Sequence, residues 1–289
     1  MNVFVFGLGY SSMHFATSVR GLHVCAGTVT SREKAERLKT QGVEAFVFSP
    51  DECDADIPAR IAAADALLVS IPPDEDGDPV LNRFGDEVAN ASGLKRIVYL
   101  STVGAYGDHQ GAWIDETTAC HPTNARSIER LKAEDGWLTL GQRARKAVHI
   151  LRLSGIYGPG SNALVNLKRG TARRIIKKGQ VFNRIHVEDI GRAIVACLAY
   201  EGGSAIWNVT DDLPAPPQDV VEYAARLMGV EPPPEIDFDT APLSPMARSF
   251  YAECKRVSNK AMKDKLGVVL AYPTYREALD ALWAQGEAQ

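Results

Sequence analysis

Two glycines near the start of the chain have the spacing of a phosphate-binding turn. Gly7 and Gly9 follow the apolar run Val3–Phe6 and precede a helix-like stretch. In that context the first glycine permits a tight turn, the second lets the backbone approach a pyrophosphate, and the helix N-terminus attracts its negative charge. Ser12 replaces the third glycine of the pattern and is small enough for close packing of helix on strand. We therefore predict a dinucleotide site that includes Gly7, Gly9, Tyr10, Ser11 and Ser12; an incidental glycine turn is the alternative.

The residues after the second predicted strand bear on which dinucleotide binds. An NAD site generally has Asp or Glu there to bond the ribose hydroxyls. This chain instead has Thr30, Ser31 and Arg32, with no carboxylate before Glu33. Hydroxyls and a guanidinium suit the 2′-phosphate of NADP, so we predict NADP, with NAD as the weaker candidate. Alternatively, Arg32 and Lys34 only form a solvated helix start.

Short apolar runs alternate with helix-like segments through the first half of the chain. This pattern indicates βαβ units and a parallel sheet. The predicted strands are Val3–Phe6, Val24–Val29, Val43–Phe48, Ala66–Ile71, Ile97–Leu100 and Val148–Leu153, and the predicted helices are Met13–Arg20, Arg32–Thr40, Pro79–Ala91 and Asn124–Gln142. The order predicts a Rossmann-type, doubly wound α/β fold with ligands at the carboxyl ends of the strands. Ser70 and Pro72, at the end of the fourth strand, therefore join the candidate cofactor-binding residues.

The sequence pattern changes after the sixth predicted strand. Residues 155–160 are typical of a loop, and proline clusters at 214–217 and 232–234 interrupt the remainder. Between these breaks we predict helices at Val187–Tyr200 and Gln218–Met228 and a strand at Ala205–Val209. We therefore expect a Rossmann domain over residues 1–154, to which about 181–210 also contribute, and a smaller mixed α/β substrate lobe over 155–289.

Composition excludes several classes of partner. The 289 residues are 45% hydrophobic and carry a formal net charge of -4, which provides no basic surface for nucleic acid. No signal-peptide pattern precedes the first strand, and no apolar run approaches the roughly 18 residues of a membrane span. The five cysteines are scattered without metal-ligand spacing, which predicts reduced, mostly buried thiols and no metal. We expect a cytoplasmic protein with a small-molecule partner and leave a homodimer open.

Four later segments add to the glycine turn. They are Leu100–Asp108 (LSTVGAYGD), Leu151–Gly160 (LRLSGIYGPG), Ile185–Ile190 (IHVEDI) and Trp207–Thr210 (WNVT). In this order they resemble motifs of the extended short-chain dehydrogenase/reductase superfamily, and most of all its NAD-dependent epimerase/dehydratase group. The similarity spans essentially the whole chain. It implies a nicotinamide cofactor, oxidoreductase or epimerase activity, and a C-terminal lobe that binds substrate.

The resemblance also implies a catalytic Ser or Thr after the fifth strand and a Tyr and Lys four residues apart on the next long helix. Thr102 occupies the first position, but Arg126 and Arg130 occupy the other two. Arginine stays protonated, so Arg126 cannot transfer a proton as tyrosine does. Arginines at positions i and i+4 share a helix face and can together grip an anion. Alternatively, they form a solvated face paired with Glu129 or Glu134.

Other residues could supply the missing acid or order the site. Loops at the expected sheet edge carry Tyr106, Tyr157, His109, His121, His186, Asp115 and Glu116. For four of them a structural role is the alternative: His186 bonded to backbone, Tyr106 packed under its loop, and Asp115 with Glu116 capping theirs. Asp78 either pairs with Arg130 or caps a helix that begins at Pro79. Tyr251 and Lys255 have the Tyr-x-x-x-Lys spacing, but they lie in the C-terminal lobe and we discount them.

Two functions follow from these residues. The first is an NADP-dependent oxidoreductase or epimerase with a non-standard active site that includes Thr102, Arg126 and Arg130. Its substrate is small and polar, and the arginines would suit an anionic group. The second is a catalytically inactive NADP-binding sensor or scaffold, which the missing Tyr and Lys favour. We predict the first and keep the second as the alternative.

Overall fold

A computed structural model of the protein describes residues 1–18 and 24–289, with the side chains of residues 24 and 25 excepted. The first half contains strands β1 (Asn2–Phe6), β2 (Val24–Val29), β3 (Glu44–Val47), β4 (Ala66–Val69), β5 (Arg96–Thr102), β6 (Trp113–Ile114) and β7 (Ala147–Leu153). Between them lie helices α1 (Tyr10–Ser18), α2 (Arg32–Thr40), α3 (Ile57–Ala63), α4 (Pro79–Asn90), a 3-10 helix (Val103–Tyr106) and α5 (Ala125–Ala144). Arg20, the predicted end of the first helix, lies outside the described residues.

The second half has shorter strands. They are β8 (Gly155–Tyr157), β9 (Arg174–Ile176), β10 (Arg184–His186), β11 (Ala205–Val209), β12 (Glu235–Asp237) and β13 (Arg256–Val257). Its helices are α6 (Ala163–Lys168), α7 (Val187–Ala199), α8 (Pro217–Met228), α9 (Pro245–Phe250), α10 (Lys260–Asp264) and α11 (Tyr275–Ala284). Within residues 1–18 and 24–289, no helix combines the length and apolar character needed to cross a membrane.

Seven strands form one sheet in the order β11-β7-β5-β4-β1-β2-β3. Strand β1 pairs in parallel with β2 on one side and with β4 on the other, and β2–β3 and β4–β5 are parallel as well. The chain therefore leaves β1 in one direction and returns to its opposite side, which creates a topological switch point at the carboxyl end of β1. This arrangement confirms the predicted doubly wound α/β fold.

The described chain divides into two compact units. Unit 1 comprises Met1–Ala105, Pro122–Arg152 and Ile190–Trp207, and unit 2 comprises Tyr106–His121, Leu153–Asp189 and Asn208–Gln289. The loop from Tyr106 to His121 thus groups with the C-terminal half, although it precedes the sequence-predicted boundary at residue 154. Each unit is described separately below.

The core of unit 1 lies on the sheet and the helices that cover it. All four residues of β4 are buried, as expected for a parallel strand covered on both faces. Apolar side chains from α4 and α5, among them Phe84, Val88 and Trp137, pack on Phe6 and Tyr99 of the sheet. This packing holds the carboxyl ends of β1, β4 and β5 in fixed positions.

The core of unit 2 is formed by helices α6, α8 and α11. Leu164, Ala224 and Leu279 are fully or almost fully buried in one cluster with Tyr157 and Tyr275. Unit 2 also contains three two-stranded parallel sheets, β8–β10, β9–β12 and β6–β13. Unit 2 therefore has a hydrophobic core of its own.

One helix of the first half was not predicted, and two predictions were wrong. Helix α3 was not predicted; it is short and buries only Ile57 and Ile61 as its apolar contacts. Strand β8 lies where a loop was expected, because it is stabilised by pairing with the distant β10. The thiols are free but not mostly buried: of the four cysteines whose side chains are described, Cys53 is exposed and Cys197 alone is buried.

Candidate functional site

The two glycines of the turn after β1 have different structural roles. Gly7 has a φ of +91° and its N–H donates to Thr28 Oγ1 at 3.0 Å. A Cβ on Gly7 would lie 2.9 Å from Ile71 Cγ1, so the fold itself requires glycine at this position. Apart from its chain neighbours, no described residue has an atom within 4 Å of the position of a Cβ on Gly9. The space beside Gly9 is therefore available to a ligand that approaches the turn.

Helix α1 begins directly after this turn. Its first turn contains no acidic residue, and the first N–H groups of a helix have no intrahelical acceptor. Ser12, which replaces the third glycine, is fully buried, and its Oγ has no hydrogen-bond partner among the described residues. The start of α1 thus offers donors and a positive dipole end to an anion.

A glycine that the sequence analysis missed allows the turn to pack on the sheet. A Cβ on Gly27 of β2 would lie 2.5 Å from the carbonyl oxygen of Val5 and 2.9 Å from Leu8 Cγ. The N–H of Leu8 donates to the carbonyl of Thr28 at 2.8 Å. A lone glycine within a strand pattern is a known sign of close backbone approach and could have identified Gly27.

Arg32 is exposed at the start of α2 and pairs with two carboxylates that the sequence analysis missed. Its guanidinium bonds Asp54 at 2.7 Å and also bonds Glu52. The hydrogen bond from Arg32 is the main cause of a lowered pKa at Asp54. Both acids come from the segment after β3, about 20 residues from Arg32. Ser31 caps α2 by accepting the N–H of Lys34.

Lys34 contacts the glycine turn directly. Its Nζ donates to the carbonyl oxygen of Leu8 at 2.9 Å. The interpretation of Lys34 as only a solvated helix start is therefore wrong. Its ammonium adds a positive charge beside the turn at the switch point.

The end of β4 lies next to the same turn. The N–H of Ser70 donates to the carbonyl of Phe6 at 2.9 Å, and the site of a Gly7 Cβ would lie 3.5 Å from the Ser70 carbonyl carbon. Pro72 follows and is exposed. The structure therefore places the predicted residues from β1 and β4 at one edge of the sheet.

Strand β5 and helix α5 meet beside Gly104. Thr102 Oγ1 accepts the N–H of Gly104 at 3.1 Å, and a Cβ on Gly104 would lie 2.9 Å from Ser127 Oγ. Ser127 belongs to the first turn of α5, whose N-cap Asn124 accepts the Ser127 N–H. The hydroxyls of Thr102 and Ser127 therefore both lie next to the space that a side chain at Gly104 would occupy.

The two arginines of α5 lie in different environments. Arg130 is partly buried, donates from Nη1 to the carbonyl of Leu100 at 2.6 Å, and lies 5.7 Å from the ring centroid of Tyr99. Arg126, one turn earlier, is exposed. Glu134 was a predicted partner of these arginines, but it bonds Arg152 instead.

Glu134 and Arg152 form an ion pair inside unit 1. Their side chains are 1% and 4% exposed, and Arg152 donates from Nη2 to Glu134 Oε2 at 2.6 Å and from Nε to both carboxylate oxygens. Ser101 Oγ donates to Glu134 Oε1. These bonds connect α5, β5 and β7 directly behind Thr102. Sequence reasoning did not identify the pair.

Asp78 caps helix α4. Its Oδ1 accepts the N–H groups of Val80 and Leu81, and its Oδ2 accepts the indole N–H of Trp137 at 3.1 Å. Burial raises the pKa of Asp78. The helix-cap alternative is therefore confirmed, and the structure shows no ion pair between Asp78 and Arg130 in the part of the chain it describes.

A family model and a relative of known sequence both match the chain. The model of the NAD dependent epimerase/dehydratase family matches residues 87–210, which include Thr102, Arg126 and Arg130. Protein YeeZ of Escherichia coli K12 is 32% identical over 246 residues, covering 80% of this chain and 85% of that protein. The chain belongs to the NAD-dependent epimerase/dehydratase family.

Two solved structures show the same fold. A conserved protein of unknown function from Silicibacter pomeroyi DSS is 44% identical, with a TM-score of 0.90 over 99% of each chain. UDP-glucuronic acid 4-epimerase from Bacillus cereus, solved in complex with NAD, has a TM-score of 0.76 over 100% of each chain but only 14% identity. The second likeness establishes the fold alone.

The alternative proton donors on the Tyr106–His121 loop have structural partners within unit 2. Tyr106 is fully buried and donates from its hydroxyl to Asn208 Oδ1 at 2.8 Å, so it packs under the loop as one interpretation held. Glu116 accepts the N–H of Asn208, and burial raises its pKa. Asp115 accepts the N–H of Thr117 and so caps its loop. These bonds favour structural roles for both carboxylates.

The histidines and the C-terminal Tyr-Lys pair are also bonded locally. His186 is buried and its Nδ1 accepts the N–H of Glu188 at 3.2 Å, while a ring nitrogen of His109 lies 3.1 Å from the Tyr106 carbonyl. His121 is exposed, with its ring centroid 6.4 Å from that of His109.

Lys255 is buried with its Nζ bonded to the carbonyl of Gly107 and to Glu253, whereas Tyr251 packs against Phe182 and Phe238. Tyr251 and Lys255 therefore have separate surroundings, which agrees with the prediction that they are not the catalytic pair.

Proposed function

We propose that this protein is an NADP-dependent oxidoreductase or epimerase that acts on a small polar substrate. The observation that carries the proposal is the turn between β1 and α1. It combines a left-handed Gly7, an unobstructed Gly9 and a helix start without acidic side chains, all at the switch point of a doubly wound sheet. Membership of the NAD-dependent epimerase/dehydratase family supports the same activity.

The residues of this turn fit the pyrophosphate of a nicotinamide dinucleotide. Gly7 sets the turn, Gly9 leaves space for the phosphates, and the N-terminus of α1 would stabilise their negative charge. Lys34 fixes the carbonyl of Leu8 and contributes a positive charge. When bound, the nicotinamide would supply hydride transfer.

The preference for NADP rests on Arg32. Its side chain is 53% exposed, so its pairing with Glu52 and Asp54 is weakened by solvent and open to exchange. Asp54 also accepts the N–H of Val47 at 2.7 Å, which holds its carboxylate in place without Arg32. A 2′-phosphate offers more negative charge than Glu52 and a geometry that a guanidinium matches. We expect the hydroxyls of Thr30 and Ser31 to complete this subsite.

Cofactor preference is measured by calorimetric titration with NADPH and NADH. We expect NADPH to bind at least about ten times more tightly, about 1.4 kcal/mol, and Arg32→Ala to narrow that difference. Arg60→Ala is the matched control, because Arg60 is also exposed and paired with a carboxylate, Glu44. Equal affinities in the unmodified protein would refute the NADP assignment.

The location of the cofactor is tested at Gly9. Gly9→Val should abolish NADPH binding while the protein stays folded, because no described residue other than its chain neighbours has an atom within 4 Å of the added Cβ. Gly203→Val is the control: Gly203 also has no atom within 4 Å, and it lies outside the turn. Unchanged NADPH affinity in the Gly9 variant would mean that the cofactor binds elsewhere.

We further propose that Thr102, Arg126 and Arg130 contact the substrate or position the groups that do. Arg126 stays charged and can attract an anionic substrate, but it cannot exchange a proton. Arg126→Tyr combined with Arg130→Lys restores the family pattern, and we expect it to weaken anion binding and to introduce slow carbonyl reduction. Anion affinity equal to that of the parent would contradict joint binding of an anion by Arg126 and Arg130.

The second candidate is an NADP-binding sensor without hydride chemistry. One observation favours it: Arg130 uses Nη1 on the carbonyl of Leu100, a structural bond at the position where the family pattern has the catalytic lysine. NADPH oxidation assays over a panel of carbonyl compounds separate the two functions. Tight NADPH binding with no turnover on any compound would support the sensor, whereas turnover supports the enzyme.

A further inference from the structure

Glu52 lies in the segment after β3, within unit 1, and its carboxylate bonds the guanidinium of Arg32. None of the motifs that carry the family resemblance includes Glu52. The proposed preference for NADP depends on a 2′-phosphate reaching Arg32, so any group that occupies this guanidinium affects that preference. Two carboxylates occupy it, Glu52 and Asp54, and they are held in different ways.

Asp54 is the fixed partner of Arg32. Its Oδ1 accepts from Nη2 at 2.7 Å and its Oδ2 accepts from Nη1 at 3.2 Å, so the two groups meet as a fork. Oδ2 also accepts the N–H of Val47 at 2.7 Å, and the N–H of Asp54 donates to the Val47 carbonyl at 2.9 Å. Asp54 therefore sets the position of the guanidinium and does not depend on Arg32 for its own.

Glu52 is the detachable partner. Its backbone is held, because its N–H donates to Ser49 Oγ at 3.1 Å and its carbonyl accepts the N–H of Ser49 at 2.8 Å. Its side chain is 49% exposed, and among the described residues Arg32 is the only group that its carboxylate bonds. Exposed pairs of this kind contribute little to stability. Rotation of the side chain alone would therefore release Glu52 from Arg32 at a small cost.

Both carboxylates accept from the same nitrogen of Arg32. Nη2 carries two N–H groups, and it donates to Asp54 and to Glu52. A phosphate that bonds Nη2 while Asp54 keeps its fork must therefore take the place of Glu52. The negative charge of Glu52 also opposes an anion that approaches this place, because like charges a few ångströms apart repel each other.

We infer that Glu52 is a specificity-determining residue, which competes with the 2′-phosphate of NADP for Arg32 and so limits the affinity for this cofactor. The inference rests on the proposed function, because it takes the 2′-phosphate subsite at Arg32 as given. It assigns the two acids opposite roles. Asp54 orients the guanidinium toward the phosphate, and Glu52 occupies the guanidinium when the subsite is empty.

Two nucleotides that differ only in the 2′-phosphate test this competition. Adenosine 2′,5′-bisphosphate and adenosine 5′-monophosphate are titrated into the full chain by calorimetry. Glu52→Gln keeps the shape of the side chain and removes its charge. We expect it to tighten the bisphosphate at least about threefold and to leave the monophosphate unchanged. The gain should shrink at high salt, which screens exposed charges.

Glu44→Gln is the matched control. It changes the net charge of the protein by the same amount, and Glu44 is also 49% exposed and paired with an arginine, Arg60. Glu44 begins β3, whereas Glu52 follows its end, so the two acids belong to opposite edges of the parallel sheet. Glu44→Gln should leave the affinity for both nucleotides unchanged.

A double variant separates competition for Arg32 from simple repulsion. Arg32→Ala should weaken the bisphosphate, and Glu52→Gln added to it should bring no gain, because no guanidinium is left to compete for. An equal gain in the Arg32→Ala background would overturn the inference. An unchanged bisphosphate affinity in Glu52→Gln, or an equal change in monophosphate affinity, would also overturn it.

These titrations distinguish failure of the inference from failure of the proposed NADP preference. If the unmodified protein prefers the bisphosphate and Glu52→Gln changes nothing, the preference stands and the inference fails. If only the Glu52→Gln variant prefers the bisphosphate, the competition stands and the NADP assignment of the unmodified protein fails.

Discussion

The buried ion pair between Glu134 and Arg152 gives the sharpest prediction about stability. Glu134→Gln keeps the shape of the side chain but removes its charge. Arg152 is 4% exposed and would then lose the carboxylate that accepts from its Nε and Nη2 in the core of unit 1. The hydroxyl of Ser101 and the guanidinium would both lose their charged acceptor.

The magnitude follows from the burial of both partners. Breaking one side of a buried pair costs about 3–5 kcal/mol, because the remaining charge is left without compensation. Native domains are stable by only about 5–15 kcal/mol, so this single change removes a large share. Glu44 and Arg60 provide the contrast: their pair has side chains 49% and 44% exposed, and Glu44→Gln should cost less than about 1 kcal/mol.

Urea unfolding followed by circular dichroism measures both variants at neutral pH. We expect the midpoint of Glu134→Gln to fall far below that of Glu44→Gln with similar slopes, and the loss to change little with added salt, which screens buried pairs weakly. Equal midpoints would refute the reasoning and show that α5 is fixed to the sheet by its apolar contacts alone. If the prediction holds, α5 keeps its position only while this pair is intact.

Three other variants test single contacts. Gly27→Ala places a Cβ 2.5 Å from the Val5 carbonyl oxygen. It should therefore lower the free energy of unfolding in urea by about 1–3 kcal/mol and weaken NADPH binding. Unchanged stability and unchanged NADPH affinity would contradict the close approach. Asp211→Asn should raise the melting temperature relative to the parent, and by more as pH rises from about 4 to 8. The reason is that burial raises the pKa of Asp211 in the folded protein to about 8, so ionisation of this carboxyl opposes folding across that range. A rise in melting temperature that does not depend on pH would contradict this reasoning. Asp78→Ala removes the cap of α4 and the acceptor of Trp137 and should cost about 1–2 kcal/mol, whereas Asp78→Asn should cost less; equal losses in urea unfolding would argue against the cap.

The parts of the fold that sequence predicted well are those with local signals. Strand β2 and helix α2 have the predicted bounds, because an apolar run and a Ser31 cap with charged helical spacing are both local. Helix α3 escaped prediction since two apolar contacts in seven residues make no clear periodicity. Strand β8 escaped because its three residues are stabilised by β10, about 30 residues later. Short elements that depend on distant partners carry little signal of their own.

The candidate site divides in the same way. Gly7 and Gly9 could be identified because the strand, the turn and the helix are contiguous. The carboxylates on Arg32 could not, since they come from a different loop that only the folded sheet brings near. The bond from Lys34 to Leu8 spans 26 residues for the same reason. Sequence therefore located the turn, Arg32 and Lys34, but not the contacts that these two side chains make.

The two arginines that we predict at the family's Tyr and Lys positions lie in different environments. At position 130 the side chain lies between α5 and β5, where its guanidinium bonds the Leu100 carbonyl and faces the ring of Tyr99. A lysine ammonium can make the hydrogen bond but lacks the planar group that lies over the ring, so Arg130→Lys changes packing as well as chemistry. Arg126 is exposed on the preceding turn, and a change there alters charge with little effect on the core. Arg126→Ala is therefore the cleaner test of substrate binding: a raised KM for anionic substrates with unchanged stability supports a substrate contact, and an unchanged KM removes Arg126 from the site.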